Sequence, residues 1–173
     1  MSQQSLARAA TARIQIVAPK TELAFLDSQF IDLARPVSPL EAWELMHQRP
    51  LPGLSLAFWL RDHISAIFGV RRIGGITGRV RGADGHQLQV GDKLDFFVIE
   101  TLTDNSLTLT VRDRHLDVMT CVTTAHGMLT VTSSVKTHNL FGRIYMLPVR
   151  PAHKLIVALT LKRLRQALEQ RSS

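Results

Sequence analysis

Two different spacings of apolar residues divide the chain into a first part and a second part. In the first part the spacing is helical. Residues 38–47 begin with Ser38 as a helix N-cap and Pro39 in the first turn, and they predict a short helix. Residues 54–69 repeat the helical spacing and end at Gly69, so they predict a second helix. Each helix has an apolar side that needs a partner to pack against.

From about residue 76 the apolar residues alternate with polar ones, as they do in β-strands. The alternation predicts extended segments over residues 93–103, 106–118, 117–124, 128–137 and 143–149. The first two segments are joined at Asp104 and Asn105, a favourable turn pair, and the next hairpin turns at residues 125–127. The alternation within residues 106–112 is typical of an antiparallel strand with one buried face.

The last predicted element is a long helix over residues 151–169. Pro151 suits its first turn, and aliphatic residues form an apolar stripe along one side. Lysines and arginines collect near its end, where the helix dipole favours positive charge. This order of elements predicts an α+β fold in which the last helix lies over one face of the sheet. The length of 173 residues suits one domain, which we place at 13–171, behind a flexible N-terminus of residues 1–12.

Composition narrows the function classes. The single cysteine, Cys121, cannot form an internal disulfide, so we expect a reducing, cytoplasmic location. Apolar runs stay well short of the ~20 residues that a membrane span needs, so we expect no membrane insertion. The formal net charge is +7, but the basic residues are scattered and no aromatic residues interleave with them. We therefore expect no nucleic-acid partner. The chain has no Gly-x-Gly-x-x-Gly motif, so no nucleotide cofactor is predicted.

The segment RDRHLDVMTCV, residues 112–122, carries an unusual group of polar residues. If this segment is a continuous strand, Asp113, His115 and Asp117 share one face, while Leu116 lies on the other. That polar face is either ordinary solvent-facing surface or turned inward for a purpose.

At the residue level the chain resembles the bacterial domain-of-unknown-function 2867 family. The resemblance rests on DRHLDVMTCV, VTSSVKTHNLFGRIYMLPVRPAHKLIV and WLRDHISAIFG, and it runs from about Trp59 to Leu164. One departure is Ala152, which stands where a bulky aromatic residue is expected. The family is similar to the helix-grip proteins of the START and Bet v 1 type. The resemblance therefore implies a curved antiparallel sheet around a long C-terminal helix, with a space between them that often holds an apolar ligand.

Eight polar residues lie on the matched motifs: Asp113, His115, Asp117, His138, Asn139, Arg143, Tyr145 and His153. Three roles are open for them. They can form a structural hydrogen-bond network, in which Arg143 is a candidate partner for an aspartate. They can line the polar end of a ligand pocket. They can also form a catalytic or metal site, for which His115, Asp117 and His138 are the candidates.

We expect a binding module that encloses a small apolar or amphipathic molecule between the sheet and the last helix. The alternative is an enzyme of the hydrolase, lyase or isomerase type, in which His115 acts with Asp113 or Asp117 and His138 assists. No cofactor and no bound metal are predicted. The oligomeric state is left open, with a homodimer as one option.

Overall fold

The computed structural model describes residues 13–47 and 87–170. The predicted flexible N-terminus and the predicted helix 54–69 lie outside these residues. A 3₁₀ turn at Lys20–Glu22 precedes the larger elements. The two α-helices of the described residues are α1 (Pro39–His47) and α2 (Leu140–Gln170). The strands are β1 (Phe25–Asp32), β2 (Lys93–Leu94), β3 (Phe97–Leu102), β4 (Ser106–Arg112), β5 (Leu116–Ala125) and β6 (Met128–Thr137).

The six strands form one curved, open antiparallel sheet in the order β1-β6-β5-β4-β3-β2. Strands β2 to β6 are neighbours in sequence and in space, whereas β1 pairs with β6 at the far edge. The β5–β6 hairpin turns at His126 and Gly127, both with positive φ, between the paired residues Ala125 and Met128. Two left-handed residues give the turn type that matches the twist of the strands. The predicted α+β fold with a long C-terminal helix is confirmed, and the architecture is consistent with a helix grip.

The predicted continuous strand through residues 112–118 is wrong. Strand β4 ends at Arg112 and β5 begins at Leu116, with Arg112 opposite Asp117. The Asp113 carboxylate accepts hydrogen bonds from the main-chain N–H groups of His115 (2.6 Å) and Leu116 (2.9 Å). This is the local bonding by which aspartate stabilises a turn. Asp113 and His115 therefore belong to a hairpin turn and do not share a strand face with Asp117.

The predicted strand over residues 143–149 is also wrong, because these residues belong to α2. The helix begins earlier than Pro151 since Asn139 caps it. The Asn139 side-chain oxygen accepts a hydrogen bond from the N–H of Gly142 (3.0 Å), and its main-chain oxygen accepts one from Arg143 (3.2 Å). A capped first turn outweighs the strand preference of the isoleucine, tyrosine and valine that follow.

Two prolines lie inside α2, at positions 148 and 151. Proline has no N–H, so the carbonyls of Ile144 and Leu147 lose their usual partners four residues ahead. Both prolines are exposed, and water can therefore reach this side of the helix.

Helices α1 and α2 cover one face of the sheet, which we call the helix face. Beneath them lie two separate groups of buried apolar side chains. The larger group joins α1 and the C-terminal half of α2 to the sheet: Val37, Ala42, Trp43, Leu45, Met46, Leu88, Leu94, Phe97, Ile99, Leu107, Leu109, Val122, Leu129, Val131, Val157, Leu161, Leu164 and Leu168. The smaller group lies under the N-terminal half of α2: Phe25, Leu116, Val135 and Met146.

The opposite face of the sheet, which we call the far face, is rich in hydroxyl groups. Thr108 and Thr110 on β4 are buried there, so the expectation that β4 has only one buried face is wrong. The chain before β1 contributes to this covering, because the N–H of Val17 donates to the Ser134 hydroxyl at 2.9 Å. Cys121 is fully buried on this face. Within the described residues, no helix is long and apolar enough to cross a membrane.

Candidate functional site: a polar row beneath the C-terminal helix

His115 lies where the β4–β5 turn meets the start of α2. One ring nitrogen accepts a hydrogen bond from Arg114 Nε (2.8 Å), and the other lies 2.9 Å from the side-chain nitrogen of Asn139. The His115 ring also packs edge-on against Phe141, with 4.6 Å between ring centroids. Nitrogen groups from an arginine and an amide therefore hold this histidine, where an acid–base pair would need a carboxylate.

The main chain at this junction is tightly packed. The His115 carbonyl accepts a hydrogen bond from the N–H of His138 at 2.8 Å. Gly142 lies against the same carbonyl, so that a Cβ atom at Gly142 would overlap it and would also lie 3.3 Å from the Cβ of Thr137. Glycine is required here by close approach and not by its φ angle. The junction docks the first turn of α2 on the β4–β5 hairpin.

Asp117 and His138 form a pair of their own. His138 Nε2 lies 3.2 Å from the Asp117 carboxylate, and both side chains are partly exposed. Asp117 also lies between Arg112 on β4 and Lys136 on β6 in the strand register. The structure thus brings together two of the predicted residues in a charged group at the end of the sheet.

Two further predicted residues lie in the first turns of α2. Arg143 is exposed. Tyr145 is half-buried, packs on the smaller apolar group and has its ring 6.1 Å from that of Phe141. The expected partner role of Arg143 is not needed at Asp113, because main-chain N–H groups bind that carboxylate.

His153 is separated from the other predicted residues and lies on the side of α2 that faces the sheet. Its ring meets Phe25 of β1 edge-on, with 5.5 Å between centroids. Burial lowers the pKa of His153, against a weaker opposing effect of the Asp27 carboxylate. The ring is therefore neutral at pH 7. This histidine marks a second polar region, which the sequence motifs do not predict.

On the sheet, that region is a row of polar side chains that crosses three strands. Asp27 of β1 is paired with Ser133 of β6, which is paired with Thr120 of β5. Ser133 and Thr120 are 2% and 6% exposed, and their hydroxyl oxygens are 3.5 Å apart. All three lie on the helix face, because they share the strand parity of Phe25 and Val135.

On one side of this row the cross-strand neighbours are Phe25, Val135 and Val118; on the other side they are Gln29, Val131 and Val122. The row therefore separates the two apolar groups.

The part of α2 above the row is also polar. Arg150 and His153 are three residues apart, which places them on one face of the helix, between the buried Met146 and Val157. Lys154 lies beside them, with its ammonium group 3.6 Å from Asp27. The helix face of the sheet and the side of α2 above it therefore both change from apolar to polar and back to apolar, and they do so at the same level along the helix.

Gln29 ties the sheet to the helix at the edge of the row. Its side-chain nitrogen donates to the Asp27 carboxylate at 2.7 Å and to the Lys154 carbonyl at 3.1 Å. Asp27 therefore has two partners, a neutral amide and a cation. Its negative charge is already balanced by groups of the protein.

Two nitrogen atoms at this level are buried without a partner. No hydrogen-bond acceptor of the described residues lies within reach of Arg150 Nε, and none of their polar atoms reaches His153 Nε2. A buried polar group that is left unsatisfied costs about 1–3 kcal/mol. We call Asp27, Thr120, Ser133, Arg150 and His153 the polar row. Only His153 among them was predicted, although the sequence Met146–Arg150–His153–Val157 at helical spacing would have signalled a polar break in a buried stripe.

The family described as "Protein of unknown function (DUF2867)" matches residues 20–160. The chain belongs to the DUF2867 family. The match runs from the 3₁₀ turn to the buried part of α2, so it includes the polar row as well as the His115 junction. The resemblance derived from the sequence motifs is confirmed for the family. No curated protein and no solved structure matches the chain.

Proposed function

We propose that this DUF2867 protein is a binding module for a small amphipathic molecule that lies between the sheet and α2. The observation that carries the proposal is the polar row between two apolar groups, with two buried nitrogens that have no partner among residues 13–47 and 87–170. An amphipathic molecule has the same division into polar and apolar parts. Its polar end would satisfy the nitrogens, and its apolar part would contact one of the apolar groups.

The free-energy cost of the two unsatisfied nitrogens favours a ligand over a purely structural role. Leaving both nitrogens unsatisfied costs about 2–6 kcal/mol in total, at 1–3 kcal/mol each. Whole domains are stable by only about 5–15 kcal/mol, so this is a substantial fraction. A well-packed apolar pair at positions 150 and 153 would remove the cost without changing the fold. When a ligand is bound, its polar group forms hydrogen bonds with the two nitrogens and so offsets this cost.

The test begins with native mass spectrometry of gently purified protein, followed by thermal shifts of the delipidated protein with a panel of medium-chain amphiphiles. Two tryptophan variants locate the site. Val157→Trp enlarges a buried residue on the side of α2 that faces the sheet, whereas Leu155→Trp is the matched change at a residue that is 60% exposed. We expect Val157→Trp to lose binding, and Leu155→Trp to keep it. If no molecule is bound and no amphiphile shifts the melting temperature, the proposal is wrong. If a folded Val157→Trp protein binds normally, the ligand does not lie next to Val157.

An enzyme remains the second candidate, because Asp117 and His138 form a carboxylate–imidazole pair with partial access to solvent. In this candidate His138 is the base and Asp117 orients it, while His115 supports the turn. Turnover of ester, amide or carbonyl substrates should then fall at least about tenfold in Asp117→Asn, because the base loses the carboxylate that orients it. An unchanged rate in that variant would exclude the pair from catalysis.

A further inference from the structure

We infer that the polar end of the ligand carries a single negative charge, as a carboxylate does, and that Arg150 and His153 receive it. This inference rests on the proposed function and names the chemical class of the ligand. It starts from the charges at the polar row. Asp27 is negative and Lys154 positive, and the two lie 3.6 Å apart. Arg150 then contributes a positive charge that no carboxylate of the described residues balances within ion-pair distance.

The donors at the row fit an oxygen anion. The guanidinium of Arg150 offers a planar fork of N–H groups that matches a carboxylate, and its Nε has no acceptor within the described part of the chain. His153 lies one helical turn away on the same face. As a neutral imidazole it has one N–H, and its tautomer with the proton on Nε2 can donate to the same anion.

The sheet side of the row supplies a further donor and limits the charge. The buried hydroxyls of Ser133 and Thr120 lie on the helix face opposite α2, and because one of them donates to the other, one hydroxyl proton is left for the ligand. Asp27 is next to Ser133 in the same row. A second negative charge on the ligand would be repelled by this aspartate, whereas a single charge is balanced by Arg150. The row is therefore selective for a monoanion over a phosphate dianion.

The length of the apolar part is not specified by these groups, so the test holds it constant. Decanoate, decanol and decyl phosphate share one alkyl chain and differ in the head group. Their affinities for the delipidated protein are measured by isothermal titration calorimetry at pH 7.5. We expect decanoate to bind at least about tenfold more tightly than decanol, because charge-assisted hydrogen bonds are stronger than neutral ones. Decyl phosphate should bind less tightly than decanoate.

Variants assign the effect to Arg150. Arg150→Met removes the charge and keeps most of the side-chain length, and Lys162→Met is the matched control because Lys162 is an exposed cation of the same helix. We expect Arg150→Met to weaken decanoate binding by about 10- to 100-fold and decanol binding by less than about threefold. Lys162→Met should leave both affinities unchanged. Arg150→Gln, which also removes the charge, provides the same comparison if Arg150→Met does not fold.

The outcomes separate the two proposals. If decanol binds the wild-type protein as tightly as decanoate does, or if Arg150→Met weakens both equally, the anion inference is wrong while the binding module stands. If decyl phosphate binds most tightly, the selectivity for a single charge is wrong. If none of the three molecules binds, the anion inference fails, and the binding module is decided separately by the native mass spectrometry and the thermal shifts.

Discussion

Replacing Gly142 by alanine sets two physical effects of opposite sign against each other. In a helix, alanine is favoured over glycine by about 1 kcal/mol, so helix propensity alone predicts a more stable protein. At Gly142, however, the added Cβ would overlap the carbonyl of His115, a backbone atom that cannot rotate away. The same carbonyl accepts the hydrogen bond from His138. Any shift that relieves the overlap therefore stretches that bond.

The magnitude follows from these terms. Overpacking costs about 1–3 kcal/mol, and a weakened main-chain hydrogen bond adds about 1 kcal/mol. Subtracting about 1 kcal/mol of helix propensity leaves a net loss of about 2 kcal/mol in the free energy of unfolding. The sign of the change in the free energy of unfolding, more than its size, distinguishes the effect of close packing at Gly142 from that of helix propensity.

The assay is equilibrium unfolding in urea of the wild-type protein and of Gly142→Ala, monitored by circular dichroism. Ala158→Gly supplies the propensity scale, because Ala158 is exposed in the middle of α2. The free energy of unfolding of Ala158→Gly should be lower than that of the wild type by about 1 kcal/mol. A Gly142→Ala protein as stable as the wild type, or more stable, would refute the described contact between α2 and the β4–β5 turn.

Three further changes test other parts of the fold. Asn139→Ala should lower the free energy of unfolding by about 0.5–2 kcal/mol through loss of the α2 cap. Asn139→Asp keeps the capping oxygen but loses the bond from the side-chain nitrogen to the Arg114 carbonyl, so its loss should be smaller than that of Asn139→Ala. An equal or larger loss in urea unfolding would contradict the capping role. Ser134→Ala should lower the free energy of unfolding by about 1–3 kcal/mol, because the part-buried N–H of Val17 loses its acceptor. A change below about 0.5 kcal/mol would show that this hydrogen bond contributes little to stability. Burial lowers the folded-state pKa of His153 and of His47, so the unfolded chain binds more protons near pH 6 and stability should fall as the pH drops from 7.5 towards 5. His153→Gln should reduce this slope in unfolding curves measured across that range, and an unchanged slope would mean that His153 is not the group that titrates.

Local signals in the sequence were sufficient to predict several secondary-structure elements. Helix α1, with Pro39 in its first turn, is confirmed, as is the turn of the β5–β6 hairpin at His126 and Gly127. The C-terminal helix is confirmed too, although it begins eleven residues before the predicted start at Pro151. These features depend on caps, turn residues and periodicity, which a short stretch of chain contains in full.

The β4–β5 turn was missed although the sequence holds a signal for it. The apolar residues of β4 occupy odd positions, such as Leu109 and Val111, whereas those of β5 include the even positions Leu116 and Val118. A continuous strand cannot change parity without turning its apolar residues to the other face. The shift between Val111 and Leu116 therefore marks a turn, and the acid–histidine pattern across it concealed the shift.

The polar row could not be predicted in the same way. It depends on β1 pairing with β6, which places Asp27 beside Ser133 across a separation of more than one hundred residues. It also depends on how α2 lies over that pairing, which brings His153 to Phe25. Neither relation has a local signature, because register between distant strands is set by the packing of the whole sheet.

The pairing of the first strand with the last also bears on the order in which the molecule assembles. Hairpins β3 to β6 close loops of only a few residues, but joining Phe25 to Val135 closes a loop of about 110 residues, which costs roughly 3 kcal/mol more chain entropy. The four-stranded meander can therefore form early, while β1 arrives late and at greater entropic cost. Since β1 brings Asp27, the polar row is completed only when β1 joins β6.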